Sequence, residues 1–195
     1  MDNIERTKQI IREIIAGSVV PEDPGHAENT LEWLLRIDPE ADEALQIAAL
    51  AHDIDRAVEE GRVRRADYED YDLFKADHAS NGAKILRDIL DRCGIAASIA
   101  DEACRLVMLH EVGGDPRSDL LKDADSISYF DVNMPLYYQR EGWEETRRRC
   151  IWGYKRFSDQ MKKRVKDITY EDEYLTRLVM EAIEQAGQKD ESNSV

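Results

Sequence analysis

The adjacent pair His52 and Asp53 is the feature of this sequence whose residue types best suit metal chemistry. Leu45, Ala48, Ala49 and His52 follow the i, i+3, i+4, i+7 spacing of a helix face, which places His52 on an apolar face with Asp53 beside it. An ionised carboxylate removed from water is costly unless a partner compensates its charge. A divalent cation, bound by the adjacent imidazole and carboxylate, would compensate it.

Each of the other three histidines has an ordinary explanation when it is considered alone. His26 follows a proline and a glycine and could be a loop or capping residue, whereas His78 could be an exposed residue near a helix start. His110 could cap a helix C-terminus, where a protonated imidazole is favourable. All four histidines nevertheless fall near the ends of predicted helices, and Asp125 lies early in the sixth predicted helix.

Helices are predicted along nearly the whole chain, and these residues lie on them or at their ends. Residues 44–51 are apolar on nearly every side, which is typical of a helix buried in the middle of a fold. Charged and aromatic residues with weak periodicity at 59–72 predict a long surface loop or lid. Further helices are predicted over about residues 4–17, 26–37, 74–94 and 96–110, from Pro116 onward, and over 143–165 and 170–186.

The sequence therefore predicts an all-α fold. No segment shows a convincing strand alternation, an internal repeat or a linker. We expect a single helical domain of about eight helices over residues 1–186, followed by a flexible tail over residues 187–195.

Composition excludes several classes of function. The chain has 195 residues, of which 42% are hydrophobic, so it can bury a proper core. A net charge of −15 argues against a nucleic acid polymer as partner, because phosphate backbones require basic surfaces. No apolar run approaches the roughly 20 residues of a membrane span, and the charged N-terminal pattern is unlike a signal peptide. We expect no membrane partner.

The cysteines predict the compartment. The chain has three scattered cysteines: Cys93, Cys104 and Cys150. They form no CxxC pair, which excludes a disulfide framework and a thiolate zinc site. Reduced cysteines of this kind favour a cytoplasmic location.

Three local strings and one residue order resemble the HD-domain superfamily of metal-dependent phosphohydrolases. ALAHDIDR resembles the helix of that superfamily that carries the adjacent His-Asp pair, DHASNGAKIL resembles the segment that follows, and LLKDADSIS resembles the closing segment. The resemblance covers about residues 24–130 and implies an HD-domain-like helical fold. The order that it matches is His26, His52-Asp53, His78, His110 and Asp125.

The resemblance implies a ligand set. His26, His52, Asp53 and Asp125 would form a first metal site. His78 and His110 match either the extra ligands of two-metal branches, in which Asp53 bridges the ions, or pocket residues of single-metal members. The number of metal ions, one or two, therefore remains open, and the presence of all six ligand types favours two. Ligands of this chemistry favour Mn, Fe, Co, Ni or Zn over Mg, with Mn²⁺ or Fe²⁺ as our expectation.

The implied activity is hydrolysis of a phosphoester or phosphoanhydride by water activated at the metal site. Asp53 and Arg56 are the predicted catalytic residues, and Arg56 and Lys122 are the predicted substrate-binding residues. A nucleotide or another small phosphorylated metabolite is the expected substrate. Candidates for proton transfer are Asp55, Glu59 and Asp123, and further candidate phosphate contacts from the lid are Arg62, Arg64, Arg65 and Lys75.

Two alternative functions stay open beside this prediction. A di-iron oxygenase resembling myo-inositol oxygenase would use the same ligand order. A non-catalytic ligand-binding module is the second alternative, since degenerate members of the superfamily lack metal ligands.

The lid carries three aromatic residues: Tyr68, Tyr71 and Phe74. Their rings could stack on a nucleobase or anchor the loop to the core. The sequence does not fix the oligomeric state, and an oligomer is possible.

Overall fold

The computed structural model describes residues 2–191, with side chains as far as residue 187. These residues form nine α-helices joined by short 3₁₀ and π-helical segments, and they contain no β-strand, so the predicted all-α class is confirmed. The helices are α1 (Asn3–Ile15), α2 (Asp23–Ile37), α3 (Glu43–Ala51), α4 (Tyr71–Cys93), α5 (Ala97–Leu109), α6 (Pro116–Ser128), α7 (Met134–Arg156), α8 (Asp159–Arg164) and α9 (Glu173–Glu191).

The chain divides into two compact units, and the division falls within α6: the first unit ends at Asp125 and the second begins at Ser126. The predicted single domain over residues 1–186 stays a prediction. α9 continues to Glu191, so residues 187–191 are helical where the sequence predicts the start of a tail. Residues 192–195 of that predicted tail lie outside the described residues.

α3 lies at the centre of the first unit, as its apolar sequence predicts. Every residue from Ala44 to Ala51 except Gln46 is buried, and the helix packs against α1, α2 and α5. The helix begins at a cap in which the Asp42 side chain accepts a hydrogen bond from the Leu45 backbone N–H, at 3.1 Å. Because α3 is surrounded by core, the residues that follow it at its C-terminal end are held in the interior.

The remaining histidines lie in α2, in α4 and directly after α5. α4 packs against α5, is capped by Asp70, and ends at Gly94, whose φ of +68° is the left-handed conformation of a helix C-cap. α4 starts earlier than the hydrophobic pattern predicts, so His78 lies two turns inside the helix rather than near its start. The predicted surface loop is confirmed up to Asp70, and it contains one 3₁₀ turn at Arg65–Asp67.

The second unit differs from the sequence prediction. The structure has α7, α8 and α9 where the hydrophobic pattern predicts two helices over 143–165 and 170–186. Ser158 separates α7 from α8, because its hydroxyl accepts a hydrogen bond from the Met161 N–H and so caps a new helix. Within α7, Gly142 has a φ of +77° and marks a kink. No helix among residues 2–191 has the length and apolar character needed to cross a membrane.

Candidate metal centre

The His-Asp pair lies where α3 ends. His52 is the C-terminal cap of α3, and Asp53 precedes a 3₁₀ turn over Ile54–Ala57. Both side chains are buried, as the helix-face spacing predicts for His52. The Nδ1–H of His52 donates to the Ala49 carbonyl at 2.8 Å, which turns Nε2 toward the other histidines. The end of a buried helix therefore presents an imidazole nitrogen and a carboxylate in the interior.

Three side chains from α2, α3 and α6 meet in what we call the first half of the centre: His26, His52 and Asp125. Nε2 of His26 lies 3.0 Å from Asp125 Oδ1 and 3.2 Å from His52 Nε2. Nε2 of His52 lies 3.6 Å from the same Asp125 oxygen. The arrangement could hold a metal ion. Asp125 lies in the last turn of α6 and not early in that helix, because α6 already begins at Pro116.

Three other side chains form the second half of the centre: Asp53, His78 and His110. Nε2 of His78 lies 2.9 Å from Asp53 Oδ1, and Nε2 of His110 lies 4.0 Å from that oxygen. This group, too, could hold a metal ion, and all three residues are buried. His110 follows directly after α5, the position that the sequence predicts for it.

Asp53 joins the two halves through its two carboxylate oxygens. Oδ1 faces His78 and His110, whereas Oδ2 lies 3.5 Å from His52 Nε2 and 3.9 Å from His26 Nε2. One carboxylate thus offers a separate oxygen to each half, which is the arrangement of a bridging ligand between two ions. The structure brings together all six residues that the sequence predicts as metal ligands; their role as ligands stays a prediction.

Hydrogen bonds behind the imidazoles fix which nitrogen is available to a metal. Nδ1–H of His110 donates to the Val107 carbonyl at 2.7 Å, in the same way as His52 donates to Ala49. Nδ1 of His78 instead meets the Asp55 carboxylate at 2.9 Å. Such contacts orient the ring and leave Nε2 as the metal-binding atom. The donor set, of imidazole nitrogens and carboxylate oxygens in a buried pocket, fits divalent Mn, Fe, Co, Ni or Zn.

The electrostatics of the centre keep its carboxylates ionised and separate its histidines in pKa. Burial raises the pKa of the Asp53 carboxyl, but the Arg56 guanidinium and the hydrogen-bonded His78 outweigh burial and hold that pKa well below its usual value. Burial lowers the pKa of His52 to about 4, so this imidazole is neutral at pH 7. Burial also opposes the charge on His78, but its hydrogen bonds to Asp53 and Asp55 raise its pKa to about 9. Burial raises the pKa of the Asp125 carboxyl as well, but its contact with His26 outweighs burial and lowers that pKa. The two ionised carboxylates of Asp53 and Asp125 need compensating cations.

One arginine adjoins the bridging carboxylate. Nη1 of Arg56 lies 2.8 Å from Asp53 Oδ2 and 3.2 Å from Asp23 Oδ1. Asp23 is almost fully buried and also accepts a hydrogen bond from the Ser18 hydroxyl at 2.6 Å. The Arg56 side chain is 37% exposed, so it reaches both the centre and solvent. Asp23 is a site residue that sequence reasoning missed; its position one helical turn before His26 was the available signal.

A buried lysine lies near the second half. Nζ of Lys75 is 3.7 Å from Glu111 Oε2 and 3.4 Å from Asp72 Oδ1. Oε1 of Glu111 lies 4.0 Å from His110 Nε2, so this carboxylate is within reach of the second half. The sequence predicts Lys75 as a phosphate contact but gives no indication of Glu111, which directly follows His110.

Three further residues that the sequence predicts for the site have partners of their own in the structure: Lys122, Glu59 and Asp55. Nζ of Lys122 bonds to Asp119 at 3.0 Å, and its role as a substrate-binding residue stays a prediction. Glu59 is exposed and pairs with Arg62 and Arg64 in the lid. Asp55 is fully buried behind His78 rather than placed to exchange protons with a substrate.

The lid aromatics continue as a row toward the centre. The rings of Tyr71 and Phe74 are stacked at 5.9 Å, and the rings of Phe74 and His78 at 6.0 Å. The Tyr68 hydroxyl donates to Asp77 at 2.7 Å. These contacts attach the start of α4 to a predicted ligand, which supports the interpretation that the aromatics anchor the loop.

The fold and the centre together define an all-helical protein with two adjoining groups of buried histidine and aspartate side chains that could hold metal ions. A family model described as a domain of unknown function, DUF4202, matches residues 5–179. The chain therefore belongs to this family. No curated protein and no solved structure matches the chain.

Proposed function

We propose that this protein is a metal-dependent phosphohydrolase that binds two divalent transition-metal ions. The observation that carries the proposal is the shared carboxylate: Asp53 directs one oxygen to each of two buried ligand groups. Two-ion centres of this kind are common in enzymes that hydrolyse phosphate esters. The resemblance of the chain to the HD-domain superfamily supports the same reaction.

The chain's own residues have distinct tasks in the proposed reaction. Bound divalent ions supply Lewis-acid activation of water and of a phosphoryl oxygen. Asp53 holds the two ligand groups at a fixed separation, and the hydrogen bonds behind His52 and His110 keep their Nε2 atoms directed inward. Arg56 would bind a non-bridging oxygen of the substrate, because its guanidinium adjoins Asp53 and is open to solvent.

The expected substrate is a small phosphorylated metabolite, such as a nucleotide. The net charge of −15 does not oppose an anionic substrate, because the ions and nearby cations set the local potential. Arg56 supplies positive charge beside Asp53, and Lys75 supplies it near Glu111 and His110. A cytoplasmic location is part of this proposal and accords with three buried free cysteines.

A di-iron oxygenase is the second candidate. The donor set of four imidazoles and two carboxylates, with Asp53 shared, would also hold two iron ions. The same purified protein distinguishes the two candidates, because an oxygenase consumes O₂ and a phosphohydrolase does not.

A phosphate-release screen tests the proposal. We expect protein stripped with a chelator and reloaded with Mn²⁺ to release phosphate from at least one nucleotide or small phosphate ester. We expect the stripped protein to be inactive and the rate to return with added Mn²⁺. A parallel oxygen-electrode measurement on Fe²⁺-loaded protein completes the design. Loaded protein that consumes O₂ with a polyol or phosphonate, and releases no phosphate from any ester, would favour the oxygenase.

A further inference from the structure

His78 differs from the other histidines of the centre in what lies behind its ring. Nδ1 of His52 and of His110 each meet a backbone carbonyl, whereas Nδ1 of His78 meets the Oδ2 oxygen of Asp55 at 2.9 Å. A carbonyl is a neutral acceptor, and a carboxylate carries a full negative charge. A carboxylate behind an imidazole therefore raises the basicity of the nitrogen on the opposite side of the ring.

Asp55 is fully buried, and both of its oxygens are engaged. Its side chain has 0% exposure. Oδ2 faces His78, and Oδ1 accepts a short hydrogen bond from the Asn81 amide. The same Asn81 nitrogen donates to the Gly61 carbonyl at 3.1 Å. Asn81 thus fixes the orientation of Asp55 and ties it to the loop between α3 and α4.

The burial of the Asp55 carboxyl group needs an explanation, because a fully buried polar group is costly unless it has partners. One of its partners is His78, at 2.9 Å, and His78 is itself a candidate metal ligand. A cation at Nε2 of His78 would compensate Asp55 through the ring. Asp55 cannot contact a substrate, since solvent does not reach it.

We propose that Asp55 is a positioning residue that strengthens binding of a divalent cation by the second half of the centre, selectively over the first half. This inference rests on the proposed function, because it assumes that the second half holds an ion. It assigns a role to a carboxylate that lies outside both ligand groups. The selectivity follows from which residues are in contact. Asp55 contacts His78, a member of the second half. The first half instead has the Arg56 cation beside Oδ2 of Asp53, the oxygen that faces it.

The inference is tested by titrating metal-free protein with Mn²⁺ alone, using calorimetry. Wild-type protein is expected to bind two ions. Asp55→Asn keeps the shape of the side chain and removes its charge, so we expect one ion to bind as in wild type and the other about 10- to 100-fold more weakly, the usual effect of losing such a contact. The paramagnetic resonance signal of coupled Mn²⁺ should then give way to that of single ions at limiting metal.

Two further variants separate this role from a general loss of structure. Asp77→Asn makes the same substitution at the exposed residue next to His78, and we expect both ions to bind as in wild type. Asn81→Ala leaves the Asp55 charge and removes one hydrogen bond that orients it, so we expect the second ion to bind about fivefold more weakly. Thermal unfolding of the metal-free variants checks that each one folds.

The outcomes distinguish this inference from the proposed function. Two ions in wild type with unchanged or equally weakened binding of both in Asp55→Asn would overturn the role of Asp55 and leave the proposed function standing. If Asp55→Asn does not fold, Asn81→Ala becomes the test. Unchanged Mn²⁺ binding, or equal weakening of both ions, in that variant would overturn the role of Asp55. One ion in wild type would overturn the inference together with the two-ion part of the proposed function, and no bound ion would overturn the proposed function as a whole.

Discussion

Replacing Asp53 with asparagine is expected to lower the rate of phosphate release by at least about 10³-fold and to abolish binding of two ions together. The carboxylate offers one oxygen to each half of the centre, 3.5 Å from His52 Nε2 on one side and 2.9 Å from His78 Nε2 on the other. An asparagine side chain has a single oxygen, and its NH₂ group cannot serve as a ligand. Metal activation is worth several kcal/mol in the transition state, and each 1.36 kcal/mol is tenfold in rate.

The measurement for Asp53→Asn combines steady-state phosphate release with elemental analysis of the same sample. Asp101→Asn is the matched control, because Asp101 is an exposed residue of α5 that pairs with Arg87. We expect this control to keep both the activity and the metal content of wild type. An Asp53→Asn protein that retains two ions and the wild-type rate would contradict the bridging role.

Replacing Arg56 with alanine is expected to lower kcat/KM by about 10²-fold while leaving the metal content unchanged. The guanidinium lies 2.8 Å from Asp53 Oδ2, and the buried Asp23 holds it from the other side at 3.2 Å. A preorganised donor of this kind stabilises charge that develops in the transition state, and removing one such donor costs about 10²- to 10³-fold in kcat. The loss should therefore appear mainly in kcat, with a smaller change in KM.

Arg56→Lys and Arg87→Ala are the comparisons for this prediction. Lysine keeps the positive charge but lacks the planar fork of donors, so we expect part of the activity to return. Arg87 pairs with Asp101 on the surface, and its removal should change nothing measurable. If Arg56→Ala lost activity solely through loss of metal, or kept the wild-type kcat/KM, Arg56 would have no role toward the substrate.

One part of the candidate centre, the His52-Asp53 pair, could be predicted from a local signal in the sequence. The apolar spacing before His52 places the His-Asp pair inside the fold, and burial of both residues confirms that placement. The helical class follows from hydrophobic periodicity, which α3 shows most clearly. The prediction that the other four candidate ligands meet there rests on the resemblance, because hydrophobic periodicity does not indicate which helix ends lie together.

The parts that could not be predicted depend on contacts between distant segments. Asp23 and Glu111 look like ordinary surface acids in the sequence, and their place beside Arg56 and Lys75 is set by the packing of helices. Asp55 has the residue type of a proton-transfer group, but the 3₁₀ turn after α3 directs it behind His78. The division between α7 and α8 was missed because a single capping serine outweighs a continuous hydrophobic pattern.

Anomalous diffraction from crystals grown with Mn²⁺ would locate the ions relative to Asp53. We expect two anomalous peaks about 4 Å apart, as in two-metal enzymes, one on each side of the Asp53 carboxylate. One peak should be bound by His26, His52 and Asp125, and the other by His78 and His110. If saturated crystals showed no peak among these six side chains, or peaks at surface carboxylates alone, the six residues would not form a metal centre.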